Sequence, residues 1–279
     1  MTSTTLQRLG GRHEDKIETM GRVALATQGL LYLIMGILAI QVAGGDRKAE
    51  PSQRGALQAV ARQPLGKALL VVVTVGLVIH LGWRLILAVR GEPGEDDKKS
   101  LAKRAGNIGR AAVYGGFTVA AIKLLIGSGS QSSGGGTEKK GTAKVLDFPG
   151  GKAIVVIAGL IVIGTGLWNV YRGLSRKFED NLALGGMEEP ARRGIVGAGV
   201  VGYAARGIAF GLVGVFLVRA GLESNPGEAK GLDGALRQVA DASYGPWLLG
   251  VLAVGLILFG LYRAIGDGRY RKASELTHP

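Results

Sequence analysis

Eight polar side chains stand inside otherwise apolar runs of this sequence: Gln28, His80, Arg84, Arg110, Lys123, Asn169, Arg206 and Arg263. A charged group in hydrocarbon is costly and commonly marks a binding or conduction site, so chemistry is to be sought at these positions first. The runs themselves hold no Asp or Glu. That lowers the case for proton- or sodium-coupled transport, which commonly uses an intramembrane carboxylate, and it excludes an intramembrane aspartyl protease. A serine protease is disfavoured too, because His80 has no convincing serine partner within the runs. Cysteine is absent, which removes disulfides, thiolate metal sites, iron–sulfur clusters and a cysteine nucleophile together. Three histidines are too few for two bis-histidine haems. No catalytic residue, metal site or cofactor is therefore expected, and the chain reads as a protein that is not an enzyme.

The elements that must position these residues follow from hydropathy. Mean hydropathy is +0.26, and apart from the few cations named above and those at helix ends, charge lies in the segments between six apolar runs. Each run has roughly 20 residues, the length with which an α-helix crosses ~30 Å of hydrocarbon. The predicted spans are Met20 to Val42, Lys67 to Arg90, Asn107 to Ile126, Lys152 to Arg172, Val196 to Val218 and Trp247 to Ile265. The polar stretch before the first run lacks the pattern of a cleaved signal, so the first span is expected to direct insertion. Net charge is +13, yet no basic run interleaves with aromatics, and nucleic acid is not an expected partner.

The runs repeat in pairs. Placing Gln28, Arg110 and Arg206 in register superimposes Tyr32, Tyr114 and Phe210; placing Gly66, Gly151 and Gly245 in register superimposes Trp83, Trp168 and Tyr262, followed by Arg84, Asn169 and Arg263. Several independently spaced coincidences define a threefold repeat. The predicted organisation is a polar segment at 1–19, repeats at 20–91, 105–174 and 196–266, and a tail at 267–279. Each unit crosses twice, so all insert in one direction and are related by a pseudo-threefold axis along the membrane normal, unlike inverted repeats. In the loops within units one and three, Leu57, Val60 and Ala61, then Leu236, Val239 and Ala240, recur at helical spacing and predict short amphipathic helices on the outer surface. The middle loop begins with a Gly/Ser linker at Ser128 and predicts an eroded surface helix. Gly207 and Gly211 form a small-xxx-small pair, matched by Ala111 and Gly115, whereas unit one has Gly29 followed by Leu33, so its contact is expected to differ.

Arg206-Gly207 followed by Phe210 and Gly214, then Gly234-Ala-Leu, Gly245 and the segment from Gly255 to Arg263, resemble the repeat of a bacterial membrane family catalogued as a domain of unknown function (number twelve-oh-six). The resemblance implies a six-helix, three-repeat protein of the bacterial cytoplasmic membrane. It implies no established activity.

Six crossings put both termini on one side, and the larger share of Lys and Arg in the termini and even-numbered loops predicts that this side is cytoplasmic. At that end each unit contributes one polar residue per helix: Gln28 with Arg84, Arg110 with Asn169, and Arg206 with Arg263. If the six converge, their guanidiniums repel one another unless an anion sits among them, which makes the ring a candidate site for an anion or an anionic lipid headgroup. The alternative is that each arginine snorkels separately or bonds neighbouring helix carbonyls. His80 is a candidate intramembrane switch, against the plainer reading of a neutral histidine bonded between helices. The leading expectation is a non-enzymatic module that binds anionic phospholipid or organises partners. The alternative is a small-solute or anion transporter, by analogy with the similar three-unit outline of mitochondrial solute carriers, whose Pro-acidic-basic signature is missing here.

Overall fold

A computed structural model describes residues 3–272 apart from 47, 63, 65, 91–96 and 128–134; side chains are described at 19 and from 21 onward, outside those gaps and 87, 90, 97–103, 105 and 135–138. The helices are α1 (Ser3–Ala43), α2 (Gln53–Ala61), α3 (Gly66–Arg90), α4 (Asp97–Leu125), α5 (Gly135–Leu146), α6 (Gly151–Leu174), α7 (Glu189–Leu222), α8 (Leu232–Ala240) and α9 (Gly245–Leu261). A π-helical turn at Tyr262–Asp267 carries α9 into the short α10 (Gly268–Tyr270). The described residues form no strand, only one isolated bridge between Leu182 and Arg271. Six helices (α1, α3, α4, α6, α7 and α9 with its extension) are long and apolar enough to cross a membrane. The protein is an all-α, six-span membrane protein.

Several boundaries differ from the hydropathy reading. Helix α1 begins at Ser3, α4 at Asp97 and α7 at Glu189, so each unit's first helix continues well beyond its apolar run. The polar residues there form helix because polar side chains are tolerated once the helix leaves hydrocarbon, and the Gly10-Gly11 pair within α1 lowers helix propensity without ending it. The loop within the middle unit is also helical, as α5, where Val145 and Leu146 pack against a small cluster of Val155, Ala220 and Ala229. The expected Gly/Ser linker at 128–134 lies outside the described residues.

The spans form a ring in the order α1, α3, α4, α6, α7, α9. Each unit's second helix packs on the first helix of the next unit, giving the seams α3 with α4, α6 with α7, and α9 with α1. Two of these seams are built alike. A Cβ on Gly29 would come within 2.6 Å of Gly260 O, and one on Gly207 within 2.6 Å of Gly166 O. One turn or two further out, Gly36 lies on Ala253 and Ile257 as Gly214 lies on Gly159 and Ile163. These are register-equivalent residues, so the threefold relation extends to backbone contacts. Leu33 does not disturb the first of them, contrary to expectation: Gly260 meets Leu33 through its backbone nitrogen, as Gly166 meets Gly211. In the α3·α4 seam the equivalents of the inner glycine pair are Ala111 and Leu81, and those of Gly36 and Ala253 are Thr118 and Thr74. Both threonines are buried, with hydroxyls donating to their own helix at Tyr114 O (2.8 Å) and Leu70 O (2.6 Å).

Within units, α1 packs on α3 and α7 on α9, but α4 and α6 barely touch. Glycine explains the two contacts: Gly76 receives Thr27, and Gly255 receives Ala205. The middle unit carries Ile161 at that position, opposite Gly109, and a Cβ on Gly109 would meet nothing within 4 Å. The ring is therefore closed at five seams and open at the sixth.

On the other end of the bundle, α2 and α8 lie as amphipathic caps. Ala56, Leu57, Ala235 and Leu236, equivalent by register, are all fully buried. Arg237 of α8 pairs with Asp233 at 2.9 Å and donates to Ala49 O, tying the cap of unit three to unit one. Burial holds the Asp233 carboxyl above its ordinary range, and Arg237 offsets this only in part.

Candidate functional site: an arginine cluster

The terminus-bearing ends of the spans are locked together by Arg22, which donates to Gly268 O at 3.2 Å and Arg269 O at 2.6 Å and so satisfies carbonyls left free at the end of the sixth span. This places Gln28 of α1 beside Arg263, whose Nε donates to Gln28 Oε1 at 3.0 Å. Asn169 and Arg206 meet in the same way, Nη1 to Oδ1 at 3.0 Å, across the α6·α7 seam. In the α3·α4 seam Arg84 and Arg110 converge on one acceptor, Asn107 Oδ1, at 3.2 and 3.3 Å. All six candidate residues thus pair, but across units and not within them: Gln28 with Arg263, Asn169 with Arg206, Arg84 with Arg110. The reason is the ring order, in which a second helix has the next unit's first helix as its close neighbour.

Tyrosines at the aromatic register position link the pairs. Gln28 Nε2 donates to Tyr114 Oη, and Arg206 Nε donates to Tyr32 Oη at 3.0 Å. The third such link is broken because Phe210 has no hydroxyl; its ring lies under Arg206 instead, 5.0 Å from the guanidinium carbon. Phe259 and Tyr32 also face Arg206, at 5.0 and 5.5 Å. The six residues therefore gather in one region, where Arg84, Arg206 and Arg263 bond to side chains of other helices, whereas Arg110 is exposed and bonds to Asn107 of its own helix.

One residue overturns the expectation that no carboxylate lies at this depth. Asp267, only 2% exposed, forms an ion pair with Arg263 and accepts from Tyr262 Oη at 3.0 Å. The apolar run ends at Ile265, but the π-helical turn carries the helix onward and turns Asp267 inward beneath Arg263. Asp267 belongs to unit three alone; its register equivalents are Ala88 and Gly173. Asn107 likewise has Leu25 and Tyr203 as equivalents. Sequence reasoning missed both, although each stands three or four residues from an arginine on the same helix, the spacing at which helical side chains meet.

The charge balance is uneven. Arg263 has a carboxylate, and Arg206 has an amide, a hydroxyl and three aromatic faces. Arg84 and Arg110 share a single neutral oxygen, and Arg84 Nε points to His80 Nε2 at 3.5 Å. His80 is buried, its ring 3.9 Å from that of Tyr114, and its Nδ1 has no partner. Since Nε2 faces a donor, the hydrogen-bond pattern assigns the proton to Nδ1. Asn107 is buried to 1% exposure, while Arg110 is exposed on α4. Lys123 lies apart, exposed near the far end of α4. No group of His, Asp and Glu among the described residues could hold a metal ion. The arrangement is one of excess, partly desolvated positive charge with donors suited to phosphate oxygens.

Fold and site define a three-repeat, multi-pass membrane protein whose units are joined through a polar cluster. The profile of the Domain of Unknown Function (DUF1206) matches the chain three times, at residues 23–91, 105–176 and 201–271. The chain belongs to that family. It is similar to "Uncharacterized protein YxxB" of Bacillus subtilis (strain 168), with 31% identity over 256 residues, 91% of each chain. No solved structure matches it.

Proposed function

We propose that the protein is a non-enzymatic module of the bacterial cytoplasmic membrane, with both termini cytoplasmic, that binds anionic phospholipid headgroups through its arginine cluster. The observation that carries this reading is the pair Arg84 and Arg110, two guanidiniums drawn to one neutral oxygen with no carboxylate bonded to either among the described residues. Two like charges held close in a partly desolvated site repel strongly, and an anion bridging them turns that repulsion into charge-assisted hydrogen bonds. Basic pockets between helices on the cytoplasmic side are places where anionic headgroups bind. The excess of Lys and Arg in the termini and even-numbered loops supports the same orientation.

Transport of a small solute or anion is the second reading. Asp267 supplies a buried carboxylate at the end of the sixth span, which favours it, but both carboxylate oxygens are engaged, Oδ1 by Tyr262 and Oδ2 by Arg263. That engagement describes a structural ion pair better than a coupling site. A native mass spectrum of the protein released from membranes tests the lipid reading: phosphatidylglycerol or cardiolipin adducts are expected, and they should be depleted in Arg84→Gln and Arg110→Gln. Adducts with only zwitterionic lipid, or anionic adducts unchanged in both variants, would refute it.

A further inference from the structure

We propose that the open seam between α4 and α6 is a lateral opening through which one anionic phospholipid reaches the cluster, its phosphate on Arg110 and Arg84 and its acyl chains between the two helices. This rests on the lipid-binding reading and adds a route, a single preferred position and an occupant.

The opening is specific to the middle unit. In units one and three the two helices of the hairpin close on Gly76 and Gly255, and Ile161 stands at that place in unit two. The consequence is visible along both helix faces. Tyr262 is 1% exposed and packs on Tyr203 of α7, with ring centroids 5.5 Å apart, whereas its register equivalent Trp168 is 55% exposed. Thr165, equivalent to the fully buried Phe259, is exposed as well. On α4, Gly106 and Gly109 meet nothing within 4 Å, while Gly202, the counterpart of Gly106, is pressed against Phe259. Faces that are interior in unit three, and largely covered in unit one where Trp83 is half-buried, are thus open in unit two.

Among the described residues, two arginines of the cluster that have no carboxylate partner, Arg84 and Arg110, belong to α3 and α4 on this side. Arg110 projects from α4 and is exposed, in contrast to Gln28, its buried equivalent, and Arg206, its partly buried one. Arg84 reaches the same Asn107 oxygen from α3, and His80, 5% exposed, leaves its Nδ1 donor unmatched next to Arg84. A ligand with a phosphate at one end and hydrocarbon at the other matches an apolar cleft that ends on two guanidiniums. A diester phosphate offers oxygens to both arginines, and its chains cover Trp168, Ile161 and Thr165. A free phosphate ion would leave that cleft unfilled.

Trp168 reports on the cleft directly. In a Trp83→Phe/Trp247→Phe background it is the sole tryptophan, and phospholipids with brominated acyl chains quench it on contact. The full chain is reconstituted in phosphatidylcholine vesicles with brominated phosphatidylglycerol or brominated phosphatidylcholine at equal low mole fraction. The expected result is a preference of about fivefold for the anionic lipid, the ratio that ~1 kcal/mol of headgroup attraction produces. Arg110→Gln should abolish the preference, and Ile161→Gly, which restores the glycine of the other two units, should weaken quenching by both lipids with every arginine in place. Equal quenching by the two lipids in the starting protein, or a preference that survives Arg110→Gln, would overturn the proposal. If anionic adducts in the native mass spectrum still depend on Arg84 and Arg110 while Trp168 shows no preference, the route falls and the lipid-binding reading stands. Loss of both removes both. Shielding of Trp168 from either lipid, with a dimer in solution, would assign the cleft to a second copy and overturn it equally.

Discussion

A single methyl group placed on α6 should have opposite effects at positions two residues apart. A Cβ on Gly166 would lie 2.6 Å from Gly207 O and 2.9 Å from Gly211 N, backbone atoms of α7 that cannot swing aside. Overpacking of this kind typically costs about 1–3 kcal/mol. Helix propensity returns ~1 kcal/mol for Gly to Ala, so Gly166→Ala should lose up to roughly 2 kcal/mol net, and should fall ~1–3 kcal/mol below Gly164→Ala. A Cβ on Gly164 would meet nothing within 4 Å. Gly164→Ala should therefore be neutral or more stable by up to ~1 kcal/mol. Gly260, register-equivalent to Gly166, would meet Leu33 N at 2.6 Å and Gly29 O at 2.7 Å, so Gly260→Ala should repeat the loss in the α9·α1 seam. The two losses lie in separate seams and should add to within about 0.5 kcal/mol. Unfolding in mixed micelles, followed by helical circular dichroism as the denaturing detergent fraction rises, reads the three single variants and the Gly166→Ala/Gly260→Ala double variant. Equal stability of Gly166→Ala and Gly164→Ala would refute the seam assignment, and so would a harmless Gly260→Ala.

Three further outcomes follow from the same contacts. Asp267→Asn leaves the buried Arg263 without its counter-charge and should cost about 3–5 kcal/mol in the micelle assay, the range for breaking a buried pair from one side; a loss below ~1 kcal/mol would show that the pair is not formed. Asp233 has a carboxyl whose folded value lies above its unfolded value, so its ionisation disfavours the folded state: stability should fall as pH rises from about 4 through the raised value, and Asp233→Asn should flatten that slope. For orientation, the cysteine-free chain allows Ser130→Cys and Ser100→Cys to be probed with an impermeant maleimide in intact cells, with Ser130→Cys labelled and Ser100→Cys protected; the reverse pattern would invert the topology.

Hydropathy and register carried much of the architecture, because a span needs only a long apolar run and a repeat needs only recurring spacings. Which helices would be neighbours was not legible. Register makes Gln28, Arg110 and Arg206 equivalent, but it does not say that α9 and not α3 presents the arginine to Gln28. That choice is made by Gly260 and Gly166, whose missing side chains admit the next unit's backbone. The open seam had a one-residue signal, Ile161 at the place of Gly76 and Gly255, which is meaningful only once those glycines are seen to receive Thr27 and Ala205. Asp267 was hidden by placing the end of the sixth span at the end of its apolar run. The helix instead continues through a π-turn that buries a carboxylate. Helix α5 was hidden by its glycine-rich lead-in; its anchoring residues Val145 and Leu146 stand at the far end.

The central claim is that the arginine cluster holds an anionic headgroup, and a lipid titration of the melting temperature measures it most directly. A ligand that binds only the folded protein stabilises it in proportion to the logarithm of its concentration above Kd. Phosphatidylglycerol added to detergent-solubilised protein should raise the melting temperature progressively, phosphatidylcholine should not, and Arg84→Gln with Arg110→Gln should remove the difference. Equal responses to the two lipids, or a response to phosphatidylglycerol that is undiminished when both arginines are replaced, would contradict the account.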